Sequence, residues 1–337
     1  MNVRFSRKWF VGGVASLTAA AAFAFAPVAV KADETFPERR ISIVVPFNAG
    51  GSADRMARAI ASFLPNHLND TPVSVVNRPG GSGALGHSWF LQQPDDGHTL
   101  MVSPVHPYMV SNIIRGQGDF TLDDFTFING QWQDYYVLLV NKNQPFQTAE
   151  ELLDFIKDNP GEASAATIVG DGGHLLTLIM MEELGLPADA VNFVTYDGGG
   201  PMRTALAGNQ VTFSVIAARG SDVIRDDVRA LALFRTEAAD DWEAPLINDI
   251  LAQYEVEIPI IPADLRTLVA HASLRDNHPE RLETITNAYK EMLESKDFQR
   301  FIGNSAIGGD WLGPEETAKR LKSYNEIFAR YADVLTQ

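Results

Sequence analysis

Short apolar strands alternate with amphipathic helices along most of the chain, and this alternation limits the fold more than any other feature. "ISIVV" at 41–45 predicts a buried strand, and a helical pattern at 52–68 follows it. A second run of strands and helices begins with "SAATIV" at 164–169. Such alternation indicates an α/β protein with mainly parallel sheets flanked by helices. The other predicted strands are 73–76, 98–103, 135–141, 191–196, 211–216 and 229–234.

The number of residues favours two lobes, because a chain of roughly three hundred residues exceeds what one core usually serves. The two runs of strands suggest where the lobes divide. We expect residues 33–138 and 261–337 to form the first lobe and residues 139–260 to form the second. The chain would then cross between the lobes near 138 and return near 260.

The first 32 residues have the pattern of an export signal. Arg4, Arg7 and Lys8 form a basic start, an alanine-rich apolar run follows, and "VKA" precedes Asp33. This order is typical of a cleavable secretory signal. We therefore expect cleavage near Ala32 and a periplasmic mature protein, by general secretion or by twin-arginine export.

Charge and composition exclude several classes of function. The chain has 27 Lys and Arg against 43 Asp and Glu, a net charge of −16, and removal of the four basic residues in 1–32 makes it −20. Such a surface repels phosphate backbones, so we expect no nucleic-acid partner. The absence of cysteine excludes disulfides and thiolate metal sites. No histidine motif has metal-ligand spacing, and we expect neither a metal nor a cofactor.

Glycine-rich loops follow several predicted strands and precede helices. They are "PFNAGGSAD" at 46–54, "NRPGGSGALG" at 77–86, "VGDGGH" at 169–174 and "YDGGGP" at 196–201. At the carboxyl ends of parallel strands, unpaired N–H groups and helix dipoles favour an anion. Glycine also lets the backbone approach a ligand closely. Loops of this kind in both lobes predict an anion site in a cleft.

These motifs, with "QQPDDGHTLMVS" and the closing "PEETAKRLKSYNEIFARYADVL", resemble the substrate-binding receptors of tripartite tricarboxylate transporters, the Bug receptors. The resemblance runs in order from about residue 36 to 335. It implies a two-lobed periplasmic binding protein, a type II-like clamshell that closes on a small carboxylate such as a di- or tricarboxylate. It also implies a monomer that performs no chemistry and delivers its ligand to membrane permease subunits.

The resemblance also assigns candidate ligand-binding residues, which lie in the glycine-rich loops and at the ends of neighbouring strands. They are Phe47, Asn48, Ala49, Gly50, Gly51, Ser52, Asp54, Gly81, Ser103, Gly170, Asp171, Gly172, His174, Tyr196, Asp197, Gly198, Gly199 and Ala217. Asp197 stands where the family often has a basic residue. An acid there suits a ligand with a neutral, hydroxylated or amino-bearing distal end.

Two alternatives remain open from the sequence. "GGSGA" weakly imitates the nucleophile elbow of hydrolases, with Ser82 as nucleophile and His174 or His106 as base. A loaded receptor that docks on a membrane sensor kinase would use the same cleft as a transport receptor. Arg219, just beyond a predicted strand, is either a partner for a ligand carboxylate or a solvated surface arginine.

Overall fold

The computed structural model of the protein describes residues 36–305 and 307–333. The predicted export signal at 1–32 lies outside the described residues. Within those ranges, none of the helices combines the length and apolar character that crossing a bilayer requires.

Ten strands form two five-stranded sheets. They are β1 (Ile41–Val45), β2 (Val73–Asn77), β3 (Thr99–Pro104), β4 (Phe125–Gln133), β5 (Tyr136–Asn141), β6 (Ala163–Thr167), β7 (Val191–Thr195), β8 (Phe213–Ala217), β9 (Val228–Phe234) and β10 (Leu265–His271). The first sheet has the order β2-β1-β3-β10-β4, and the second has the order β7-β6-β8-β5-β9.

Eleven α-helices of the described ranges flank these sheets. They are α1 (Ser52–Phe63), α2 (Ala84–Leu91), α3 (Val110–Ile114), α4 (Ala149–Asp158), α5 (Gly172–Glu183), α6 (Gly199–Ala207), α7 (Ile247–Leu251), α8 (Ala272–Asn277), α9 (Pro279–Glu294), α10 (Lys296–Ile302) and α11 (Gly313–Arg330).

The two sheets have the same internal topology. In the first, β1 pairs in parallel with β2 and β3, while β10 is antiparallel to both of its neighbours. In the second, β6 pairs in parallel with β7 and β8, while β5 is antiparallel to both of its neighbours. The reversed strand of each sheet is the first strand after the chain changes sheets. This mainly parallel, two-lobed α/β arrangement confirms the fold class predicted from the alternation.

The two segments that join the sheets run side by side. The backbone N–H of Asp134 donates to the carbonyl of Asp264 over 3.1 Å, and β4 and β10 pair up to Gln133 and Leu265. The chain leaves the first sheet after Gln133 and enters the second at Tyr136. The limits of the lobes, which we placed at 138 and 260, stay a prediction.

Local sequence explains most elements and also the main differences. The cap predicted at Thr148 is present, since its hydroxyl accepts from the N–H of Glu151. The helix expected at 52–68 ends at Phe63, and residues Leu64–His67 continue as a 3-10 turn that contains Pro65. Proline lacks the N–H and clashes with the preceding turn, which is why the α-helix stops there.

Strand β4 was not predicted, because its polar residues break the apolar pattern. Asn129 and Gln131 are fully buried, and their amides donate to the carbonyls of Asp310 at 2.9 Å and Gly308 at 2.7 Å. Partners that lie far away in sequence satisfy these groups. The strand therefore depends on tertiary contacts that no local pattern reveals.

Candidate functional site

A loop from each lobe meets the other at the carboxyl ends of the strands. The first connects β1 to α1, and the second leads into the first turn of α6. A Cβ atom added at Gly200 would lie 3.0 Å from the carbonyl oxygen of Ala49 and 3.2 Å from the N of Gly51. One added at Gly198 would lie 3.3 Å from the N of Asn48. The backbones approach so closely that only glycine fits without displacement at these points.

Asp54 fixes the shape of the first loop. This buried carboxylate accepts hydrogen bonds from the N–H of Gly50 at 2.9 Å, from Arg58 Nε at 2.9 Å and from Asn77 Nδ2 at 3.0 Å. Burial acts to raise the pKa of Asp54, but these hydrogen bonds lower it below its ordinary value. The chain uses both Asp54 oxygens within the first lobe. We infer a positioning role for Asp54, and a contact with ligand stays a prediction.

An inner cavity of about 30 Å³ lies behind the two loops. Six of the predicted residues line it: Phe47, Gly51, Ser52, Asp171, Gly199 and Ala217. The sequence interpretation missed nine further lining residues: Ala53, Pro104, Tyr108, Tyr136, Ile168, Met202, Arg203, Ile216 and Asp264. Space of this size holds about one water molecule. A solute with several heavy atoms therefore needs the lobes to separate before it can enter.

An outer groove of about 500 Å³ lies on the solvent side of the same loops. Four predicted residues line it: Asn48, Gly81, Tyr196 and Asp197. The other residues that line the groove are Ser82, Arg115, Gln117, Val169, Thr195 and Pro201. Asp197 is exposed in this groove and does not line the inner cavity.

The remaining predicted residues line neither space. They are Ala49, Gly50, Asp54, Ser103, Gly170, Gly172, His174 and Gly198. Ser103 is fully buried, and its hydroxyl lies 2.9 Å from His87 Nε2. His174 Nδ1 accepts from the N–H of Gly170 at 3.3 Å. Burial, followed by the charge of Arg115, lowers the pKa of His174 to about 4, so the ring is neutral at neutral pH.

Asp171 is the N-cap of α5, and its pKa is raised. Its Oδ1 accepts from the N–H of His174, and the hydroxyl of Tyr108 donates to its Oδ2 over 3.5 Å across the lobes. Burial, reinforced by the charge of Asp264, raises the pKa of Asp171 to about 7. A carboxyl that titrates near neutral pH thus lies at the wall of the inner cavity.

Arg266 organises the charges at the crossing between the lobes. It is fully buried, lies over Trp132 at 4.2 Å, and donates from Nε to Ser52 Oγ at 2.7 Å. Its two terminal nitrogens bind Asp134 at 3.2 Å and Asp264 at 2.9 Å. One guanidinium therefore holds both crossing segments and the start of α1 together.

The structure does not bring together the residues of the hydrolase alternative, and it pairs Arg219 with another side chain. The Ser82 hydroxyl donates to the carbonyl of Val169 at 2.9 Å, and no hydrogen bond of the described residues joins Ser82 to His174 or His106. Arg219 pairs with Asp241 at 3.1 Å, and its side chain is 48% exposed. No group of three or more His, Asp or Glu in the described part of the chain is placed to hold a metal ion.

Arg203 and Asp264 are the functional candidates that the sequence interpretation missed most clearly. Arg203 lies in α6, two positions beyond the glycine-rich loop at 196–201, and Asp264 lies in "IPADLR", outside any glycine-rich loop. Each is a charged residue within an apolar stretch of sequence. That pattern was the available signal, because a charge that is buried with its neighbours needs a partner.

Comparison with known proteins assigns the chain to a family. The model of the tripartite tricarboxylate transporter family receptor matches residues 56–307, which is more than half of the chain. Protein BugT of Bordetella pertussis is 30% identical over 216 residues, 63% of this chain and 65% of BugT. A UPF0065 protein of Cupriavidus necator is 31% identical over 210 residues, 61% of this chain and 62% of that protein. The chain thus aligns with less than two thirds of the length of these curated relatives.

Solved structures share the fold over most of the chain. R. palustris Rpa4515 with adipate has a TM-score of 0.74 at 23% identity, covering 89% of this chain and 98% of that one. MatC from Rhodopseudomonas palustris with bound malate has a TM-score of 0.71 at 20% identity, covering 89% and 100%. The matched family is one of transporter receptors rather than enzymes, which argues against the hydrolase alternative. The chain belongs to the tripartite tricarboxylate transporter receptor family, a family of periplasmic solute-binding receptors.

Proposed function

We propose that this protein captures a small carboxylate between its two lobes and delivers it to the membrane permease subunits of a tripartite tricarboxylate-type transporter. The observation that carries the proposal is the meeting of two glycine-rich loops, one from each lobe, at the carboxyl ends of the strands. Ligands of open α/β sheets bind at this edge. The family match and the adipate and malate bound by two proteins of the same fold support the proposal.

Backbone groups would hold the anion against the charge of the whole protein. Helices α1 and α6 both begin at the meeting point of the loops, and unpaired N–H groups at a helix start favour negative charge. A charge-assisted hydrogen bond contributes about 1.5 to 3 kcal/mol. Two or three such bonds exceed the repulsion from surface charges screened by salt. The candidate contacts are the predicted residues that line the inner cavity and the outer groove.

The same proposal includes export and assembly. The mature chain begins near Asp33, after cleavage of the signal at Ala32, and acts in the periplasm as a monomer. Mass spectrometry of periplasmic protein tests the cleavage. An intact Met1, or a chain that stays in the membrane fraction, would contradict it.

A thermal-shift screen of the mature chain against organic acids tests the function. A ligand at one hundred times its dissociation constant adds about 2.7 kcal/mol of stability, which is readily measured. Matched alcohols and amines without a carboxylate serve as controls. If no acid raises the melting temperature while a solute without a carboxylate does, the carboxylate assignment is wrong.

A further inference from the structure

Three buried polar atoms at the inner cavity have no hydrogen-bond partner among the described residues. They are Nη1 of Arg203, Oδ1 of Asp264 and the hydroxyl of Tyr136. The three residues are only 4%, 5% and 2% exposed, respectively, and all of them line the cavity. An unpartnered buried polar group costs about 1 to 3 kcal/mol, and more if it is charged. These atoms are available to a bound molecule, and one larger than the single water that the closed cavity holds reaches them when the lobes separate.

Contacts within the second lobe hold the Arg203 side chain in place and leave its Nη1 without a hydrogen-bond partner. Its Nε donates to Ser221 Oγ at 3.0 Å, which fixes the plane of the guanidinium. A Cβ at Gly199 would lie 2.5 Å from Nη1, and one at Gly220 would lie 2.6 Å from Nη2. The two glycines therefore leave the space that the guanidinium occupies. Burial, followed by the charge of Arg266, lowers the pKa of Arg203 to about 10, so the group is still protonated at neutral pH.

Asp264 presents the opposite chemistry. Its Oδ2 accepts from Arg266 Nη2 at 2.9 Å, which neutralises the carboxylate from behind, while Oδ1 remains available as an acceptor. No ion pair among the described residues joins Arg203 to Asp264, although each affects the pKa of the other. The cavity thus has a donor and an acceptor that do not satisfy each other.

The charges around the cavity discriminate between classes of acid. Its lining contains one cation, Arg203, and two carboxyls, Asp264 and Asp171. A first carboxylate of a ligand can pair with Arg203. A second carboxylate would meet Oδ1 of Asp264, an acceptor to which it has no proton to donate, or Asp171, which is partly ionised at neutral pH. A hydroxyl or an ammonium group would instead donate to Asp264.

We infer that the solute carries one carboxylate, which Arg203 binds beside the backbone N–H groups at the start of α6, and a hydroxyl or ammonium group, which donates to Asp264. This assignment rests on the proposed function, because it names the ligand class of the same cleft. It is narrower than that function, since it disfavours unsubstituted dicarboxylates. Tyr136 supplies a third polar contact through its free hydroxyl.

Calorimetry with matched acids tests the assignment. The probes are acids of three to five carbons in four sets: unsubstituted monocarboxylates, their hydroxy forms, their amino forms and unsubstituted dicarboxylates. We expect the best hydroxy or amino acid to bind the mature chain at least about tenfold more tightly than the unsubstituted acid of the same length. Arg203→Met should weaken all acids. Arg219→Met, outside both spaces, should leave every affinity unchanged.

Two further variants separate recognition from structure. Asp264→Asn keeps an acceptor for Arg266 and should reduce the preference for amino acids over unsubstituted acids. Tyr136→Phe removes only the free hydroxyl and should weaken the preferred acid without lowering the melting temperature. If Asp264→Asn fails to fold, the acid series on the unmodified chain still decides the question.

The outcomes are distinct. Unsubstituted acids or dicarboxylates that bind as tightly as the hydroxy and amino acids would overturn this assignment and leave the proposed function standing. Variants that lower the melting temperature while all affinities stay unchanged would show a purely structural cluster, which also overturns it. If no acid of any set binds, both the assignment and the carboxylate function are wrong.

Discussion

The hydroxyl of Ser82 donates to the main-chain carbonyl of Val169 over 2.9 Å and so joins the glycine loop of the first lobe to the second lobe. Three other contacts cross between the lobes. Tyr108 donates to Asp171, Arg55 donates to the carbonyl of Gly220 at 3.0 Å, and Arg115 Nη1 donates to the carbonyl of Val169 at 3.4 Å. These few polar contacts hold the lobes together over the cavity, and a ligand that enters must break some of them.

We predict that Ser82→Ala shifts the protein toward an open form. The change removes the hydroxyl that bonds Val169 but keeps the Cβ, so the left-handed backbone at this position (φ 52°) is strained in both proteins. Small-angle scattering without ligand should give a larger radius of gyration than for the parent. Ser62→Ala, which removes a hydroxyl bonded only within α1, is the control. An unchanged radius for Ser82→Ala would mean that this bond does not hold the lobes closed.

The pKa of Asp171 predicts a pH dependence of stability. The folded pKa of about 7 lies above the ordinary value of 3.8, so between these values the native state binds more protons than the unfolded state. The stability associated with Asp171 is therefore complete below about pH 3.8 and is lost as the pH rises through 7. Asp171→Asn cannot ionise and still caps α5. The melting temperature of the variant minus that of the parent should increase between pH 5 and pH 8, by about 2 °C or more.

Buried histidines affect both proteins equally and do not obscure this comparison. Burial lowers the pKa of His87 and of His106 to about 3, so the stability that they confer is lost as the pH falls from 6.5 toward 3. The histidines therefore change stability with pH in the direction opposite to Asp171. Because both proteins contain them, their contribution cancels in the difference between the two melting temperatures. A difference that stays constant from pH 5 to pH 8 would show that Asp171 has an ordinary pKa.

The sequence allowed the fold to be predicted further than the site. Strands such as β1 and loops such as 46–54 depend on residues that are close together in the sequence, so short sequence patterns predict them. The inner cavity depends on side chains that meet only after folding. Arg203 comes from a helix of one lobe and Asp264 from the return crossing, 61 positions apart in the printed sequence. Neither has a local motif, and the polar strand β4 escaped prediction for the same reason.

Arg266 should be essential for stability. Its removal leaves the carboxylates of Asp134 and Asp264 without the cation that binds both. Loss of one partner from a buried ion pair costs about 3 to 5 kcal/mol. We expect Arg266→Met to lower the free energy of unfolding in urea by about that amount. Arg219→Met breaks a half-exposed pair with Asp241 and should cost at most about 1 kcal/mol. Equal losses in the two variants would contradict the organising role of Arg266.

The meeting of the two glycine loops gives the sharpest test of the anion cradle. A Cβ at Gly51 would lie 3.5 Å from the carbonyl oxygen of Asn48 and 3.6 Å from the N of Gly200, which are ordinary contact distances, and its backbone is extended rather than left-handed. Gly51→Ala should therefore keep the fold and most of the binding. Gly51→Val adds two methyl groups against the start of α6, where they block the approach of a carboxylate to the backbone N–H groups. We expect Gly51→Val to weaken carboxylate binding at least about tenfold, as the loss of one charge-assisted hydrogen bond does. Calorimetry with the tightest acid, and circular dichroism to verify the fold, measure both variants. If Gly51→Val binds the acid like Gly51→Ala, the backbone of this loop does not hold the anion.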